Sequence, residues 1–112
     1  MARAELPKPF TKFRRAHGDV VSAYETLGEA CAKAGPLDAK TRELIRLGMA
    51  IGGRLEGAVH SHARRATAAG ASAAEVRHVV ALAATTIGFP TTVAAFTWVD
   101  DVLSSGPRGK RK

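Results

Sequence analysis

Four glycine-centred breaks, at Gly35-Pro36, Gly52-Gly53, Gly70 and Gly88 with Pro90 close behind, cut this chain into segments whose apolar residues recur every three or four positions. That punctuation constrains the fold class. Spacings of three and four line apolar side chains up on one face of an α-helix, and no segment shows the sustained two-residue alternation of a half-buried strand bounded by turns. We therefore expect an all-α, single-domain helical bundle of about five to six helices.

Each segment carries its own start or stop signal. After a lead containing Pro7 and Pro9, Phe10 to Ala16 reads as a short helix that His17-Gly18 interrupts. Asp19 is a plausible N-cap for the next helix, with Val20, Tyr24, Leu27 and Cys31 as its apolar row, and Gly35-Pro36 stops it. Asp38 can cap a helix whose stripe runs through Leu44, Leu47, Gly48 and Ile51 and which ends at Gly52-Gly53. A further helix occupies RLEGAVHSHARRA and ends at Gly70. Ser72-Ala-Ala-Glu75 has the spacing of a capping box, in which a serine side chain and a glutamate side chain satisfy each other's backbone N–H groups. Pro90 suits the first turn of the last helix, TTVAAFTWVDDVL, because proline lacks an N–H that the first turn would leave unpaired anyway.

The formal charge of +7 over 112 residues raises the question of nucleic acid, and its distribution answers it. Residues 1–15 hold five Lys/Arg against Glu5, and GPRGKRK at 106–112 holds four with no acid, leaving eight basic against nine acidic residues between them. The basicity lies in the tails, and the aromatic interleaving of single-strand binders is absent, so nucleic acid is not the expected partner. We divide the chain into a basic lead with a short helix (1–18), a helical domain (19–105) and a basic tail (106–112). No run approaches the roughly 18–20 apolar residues of a membrane span, and no apolar secretory h-region opens the chain. The lone Cys31 cannot form an intrachain disulfide, so a soluble, cytoplasmic protein without membrane contact is expected. In the last helix Val93, Phe96 and Leu103 share a face that Ala95, Trp98, Val99 and Val102 widen beyond one buried stripe, which points to burial between subunits.

Two histidines stand two residues apart in the fourth segment. At about 100° per residue they point about 200° apart, so His60 and His62 cannot chelate one ion together from a continuous helix, and no metal is expected. His60 shares its row with Glu56 and Arg64, a solvated polar face. His62 shares its row with Leu55, Ala58, Ala66 and Ala69, mostly small and apolar, and is expected to be at least half buried. On the preceding helix Glu43 has Leu47 and Ala50 at its following helical spacings, which sets its carboxylate at the rim of an apolar face. Burial there would raise its pKa unless Arg42, Arg46 or another cation compensates, and an exposed pair with Lys40 or Arg46 is the plainer alternative. A glutamate and a histidine on adjacent helices could also form an acid/base couple.

The ordered set Lys40-Thr-Arg-Glu-Leu-Ile-Arg-Leu47 with Ala50, His62 with Ala66 and Gly70, Ser72-Ala-Ala-Glu-Val76, and Ile87-Gly-Phe-Pro90 with Ala94-Ala95 resembles the carboxymuconolactone decarboxylase superfamily, which includes the alkylhydroperoxidase D-like proteins. The resemblance runs from about Leu37 to Leu103 and implies functional roles for Glu43 and His62. It also implies a homotrimer or homohexamer. The peroxidase branch of the family carries a Cys-x-x-Cys whose positions here are Leu55 and Ala58, so the two thiols that hydroperoxide reduction requires are missing. The decarboxylase branch lacks those cysteines too and keeps the histidine. It implies cofactor-independent decarboxylation or proton transfer on a small carboxylated lactone or related acid from aromatic-compound catabolism. In that reading His62 donates the proton, Glu43 orients it or acts as base, and Arg42, Arg46 or Arg65 holds the substrate carboxylate. The alternative is a peroxiredoxin-like family member that has lost its redox cysteines and serves as a non-enzymatic oligomeric protein.

Overall fold

The structure, a computed structural model, describes residues 8–105, and the described residues form six α-helices and one short 3-10 turn with no strand. The basic lead before Lys8 and the tail after Ser105 lie outside the described residues. The chain falls into two units with the boundary between Pro36 and Leu37.

The first unit holds α1 (Lys8–Ala16) and α2 (Gly18–Lys33). His17 is the break between them, as the His17-Gly18 signal suggests, but the cap differs from expectation. Helix α2 already begins at Gly18 with His17 in the cap position and no side-chain capping bond, so Asp19 sits inside the first turn. There its carboxylate still meets the positive end of the helix dipole. Arg14 stacks over the Phe10 ring at 5.1 Å and reaches Glu25 at 3.2 Å, which ties α1 to α2. Val21 is buried, whereas the row of Val20, Tyr24 and Leu27 is exposed.

The second unit contains α3 (Ala39–Gly52), α4 (Glu56–Ala68), α5 (Ala73–Leu82), the 3-10 turn Ala83–Thr85 and α6 (Phe89–Ser104). Two of its helix starts follow the sequence signals atom for atom. The Asp38 carboxylate accepts from the Thr41 N–H at 2.9 Å, and Ser72 and Glu75 complete a reciprocal capping box. Each such cap satisfies backbone donors that would otherwise lack partners, worth about 1 kcal/mol. Gly88 precedes α6 with φ 123°, a conformation that side chains disfavour, and Pro90 follows in the first turn.

The core of this unit is aliphatic and small. Leu47, Ile51, Val59, Val76 and Val99 are fully buried, and Ala63, Ala66 and Ala95 fill the seams where α4 and α6 meet their neighbours. Alanine at these crossings lets helix axes approach closely, so α3 lies along one side of α4 and α6 along another. Lys40 adds a clamp from α3 to Glu75 of α5 at 3.1 Å. Helix α6 divides its broad apolar surface: Ala95 and Val99 are buried, Trp98, Val102 and Leu103 pack partly against the core, and Phe89, Val93 and Phe96 remain exposed. No helix among the described residues is long and apolar enough to cross a membrane.

Candidate functional site

Helices α3 and α4 bring together Glu43 and His62, residues 19 apart in sequence. Glu43 lies one turn into α3, on the side that faces α4, because Leu47 and Ala50 below it are core residues. His62 projects from the middle of α4, where the buried Ala63 and Ala66 set the face turned toward the core. His62 Nδ1 and Glu43 Oε1 are 2.8 Å apart. The other oxygen of the same carboxylate accepts from Arg46 Nη1, also at 2.8 Å. Both lengths belong to charge-assisted hydrogen bonds.

This geometry decides the state of the carboxyl. Burial alone would raise its pKa, since Glu43 is only 9% exposed, but the hydrogen bonds from His62 and Arg46, reinforced by their charges, outweigh that effect and hold the group below the ordinary carboxylate value. The cation that sequence reasoning required is therefore Arg46, together with His62 itself. Lys40, the other helical neighbour, is engaged with Glu75 instead. An ionised carboxylate only accepts hydrogen bonds, so His62 donates through Nδ1–H. Nε2 of the same ring makes no hydrogen bond among the described residues and is left to take or give a proton.

The three arginines near the couple have different occupations. Arg42 donates from Nη1 to the Leu37 carbonyl at 2.6 Å, while its Nε is buried without a partner among the described residues. Arg46 holds Glu43. Arg65, one turn beyond His62 on α4, is exposed and has no hydrogen bond or ion pair among the described residues. Leu55, at the N-cap of α4, is 56% exposed, and Ala58 is half-buried.

His60 differs from the solvated residue that its row predicts. It is half-buried and its Nε2 lies 3.2 Å from Asp101 Oδ2 of α6. The row of Glu56 and Arg64 describes only its own helix, whereas Asp101 arrives from 41 residues further along the chain. Spacing alone carries no signal for that partner. Among the described residues no group of three or more His, Cys, Asp or Glu side chains gathers as a metal site. An open apolar groove of about 190 Å³, walled by Ile51, Val79, Leu82 and Ile87, contains neither Glu43 nor His62 and no titratable group. It can hold hydrocarbon but offers no proton chemistry.

Comparison with known proteins agrees with this arrangement of helices. The crystal structure of an apo carboxymuconolactone decarboxylase family protein from Legionella pneumophila matches with a TM-score of 0.72 over 85% of this chain and 85% of that one, at 24% identity, a likeness of fold. An uncharacterized protein from Haemophilus influenzae is 41% identical over 63 residues, 56% of this chain and 56% of its own length, so the chain spans about half of that relative. The sequence model of the carboxymuconolactone decarboxylase family matches residues 18–101. With three quarters of its length inside that match, the chain belongs to the carboxymuconolactone decarboxylase family.

Proposed function

We propose that the Glu43–His62 pair is an acid/base couple for cofactor-independent decarboxylation, or a related proton transfer, on a small carboxylated lactone or similar acid. The observation that carries this reading is the 2.8 Å contact between His62 Nδ1 and a Glu43 carboxylate that is itself buried and ionised. A histidine braced in this way presents Nε2 as a general acid or base, the arrangement that proton transfer to carbon requires. Arg65 supplies a cation one turn away with no competing partner, and we assign it to the substrate carboxylate ahead of Arg42 and Arg46. In the decarboxylation step the bond to the carboxylate carbon breaks, carbon dioxide departs, and the electron pair stays on the substrate carbon. Imidazolium Nε2–H then delivers its proton to that carbon, and the neutral ring is reprotonated from solvent. Turnover of carboxymuconolactone and related carboxylated lactones by the purified protein, abolished in His62→Ala, is the expected result. Equal turnover by wild type and His62→Ala would overturn the assignment.

A second reading has its own support. By resemblance to the peroxidase branch Leu55 and Ala58 stand where that branch carries its redox cysteines, and Phe89, Val93 and Phe96 form an exposed row along α6. Both features fit a homotrimer or homohexamer that keeps the fold without chemistry. Thiol peroxidase activity is excluded from our proposal, because the one cysteine, Cys31, is exposed on α2, outside the second unit. Hydroperoxide consumption no faster than that of Cys31→Ser is expected. Sedimentation showing a trimer or hexamer at micromolar concentration, combined with no turnover in a broad small-molecule screen, would favour this second reading.

A further inference from the structure

Glu43 uses its two oxygens for two different donors, Oε1 for His62 on α4 and Oε2 for Arg46 on its own helix. A carboxylate at the end of a glutamate side chain rotates about its last torsion with little preference, so a single bond to His62 would leave its direction loosely set. The contact with Arg46 removes that freedom from within α3, at an i,i+3 spacing that the helix itself maintains. Arg46 is only 28% exposed and Glu43 11% at their side chains, so water competes weakly for either end. No other cation among the described residues bonds to Glu43.

We propose that Arg46 is a positioning residue: by holding Oε2 of Glu43 it aims Oε1 at His62, keeps the neutral imidazole protonated on Nδ1, and leaves Nε2 as the nitrogen that exchanges protons with substrate. This rests on reading Glu43 and His62 as the acid/base couple. It gives Arg46 a different task from Arg65. Were the guanidinium drawn off Glu43 toward a substrate carboxylate, the ring that performs the chemistry would lose its brace. Without Arg46, burial acts on Glu43 with less opposition, so its carboxyl titrates at higher pH and points less consistently at the ring.

The test is histidine ring nitrogen NMR on uniformly labelled full-length protein, above the pH at which the rings lose their charge. In wild type, neutral His62 is expected as the Nδ1–H tautomer, and Nε2–H in wild type would overturn the proposal without any variant. In Arg46→Gln the ratio of the two tautomers should move toward Nε2–H by about fivefold, the leverage of one hydrogen bond of ordinary net strength. The Glu43 carboxyl titration should move up in the same variant. Arg46→Lys, which keeps a cation within reach of Oε2, should recover part of both changes. His60 signals serve as the control for folding. An unchanged His62 tautomer in an Arg46→Gln protein whose His60 signals are native would sink the proposal. The readout contains no substrate, so a failure to turn over carboxylated lactones would count against the proposed reaction and leave this result standing.

Discussion

Helix α4 carries two histidine–carboxylate pairs on opposite sides, and they differ mainly in the carboxylate. The rings are similarly covered, with His62 20% exposed and His60 26%. The separations are close as well, 2.8 Å for His62–Glu43 and 3.2 Å for His60–Asp101. The carboxylates diverge sharply: Glu43 is 11% exposed at its side chain and held by a second cation, whereas Asp101 is 64% exposed. A solvated carboxylate has water as an alternative partner at every moment and constrains its histidine weakly. A buried one has only the groups built around it. The inner pair therefore carries the candidate chemistry, and the outer pair resembles many surface ion pairs.

The largest expected difference between the two sides is in turnover. With a carboxylated lactone substrate, His62→Ala should lose about 10²–10⁴ in rate, the usual range for removing a general acid or base, while Asp101→Asn should stay within about twofold of wild type. Comparable losses in both variants would erase the distinction. Stability should separate them next. Glu43→Ala leaves Arg46 and His62 without their shared partner and should cost about 2–3 kcal/mol in urea unfolding, somewhat below a fully buried pair because both partners still touch water. Asp101→Ala should cost about 0–1 kcal/mol.

The dependence on pH sharpens the same comparison. Because the folded Glu43 carboxyl lies below its ordinary value of 4.5, its contribution is complete above that value and is lost as pH falls through the folded value. Urea midpoints measured from neutral pH down to about pH 3 should fall less steeply in Glu43→Gln than in wild type. Identical acid slopes would mean that Glu43 gains nothing from its partners. The smallest effect concerns salt. At about 1 M ionic strength the cost of Asp101→Ala should vanish within error, while most of the Glu43→Ala cost should persist, since exposed charges are screened and buried ones much less so.

How much of this was legible in the sequence depends on how local the cause is. The Asp38 cap, the Ser72–Glu75 box and the stop at Gly52-Gly53 each obey rules that act within four residues, and all can be read directly. Asp19 is a near miss of the same kind, because the chain turns at His17 and the helix begins two residues earlier than an Asp19 cap implies. Arg46 as a partner of Glu43 follows from i,i+3 spacing. The approach of His62 to Glu43 does not: spacing alone favoured an exposed pair on α3, and only resemblance to a family placed the two residues together. The His60–Asp101 and Lys40–Glu75 contacts were invisible for the same reason, since each joins helices whose relative placement comes from packing of Leu47, Val59, Val76 and Val99. The exposure of Val20, Tyr24 and Leu27 was equally hidden, because a helical period reports a face and not what covers it.

The turn between α3 and α4 shows how far such long-range causes reach into what substitutions a position can accept. Arg54 there has φ 56°, a left-handed conformation that costs a branched or long side chain about 1–2 kcal/mol relative to glycine. Its guanidinium donates from Nε and Nη2 to the buried Thr91 hydroxyl at the start of α6, at 3.0 and 2.7 Å. The backbone favours glycine or asparagine at this position, and the hook favours arginine. The hook thus couples Arg54 to Thr91 across 37 residues of sequence, and a residue added to or lost from the turn would carry the guanidinium away from its hydroxyl.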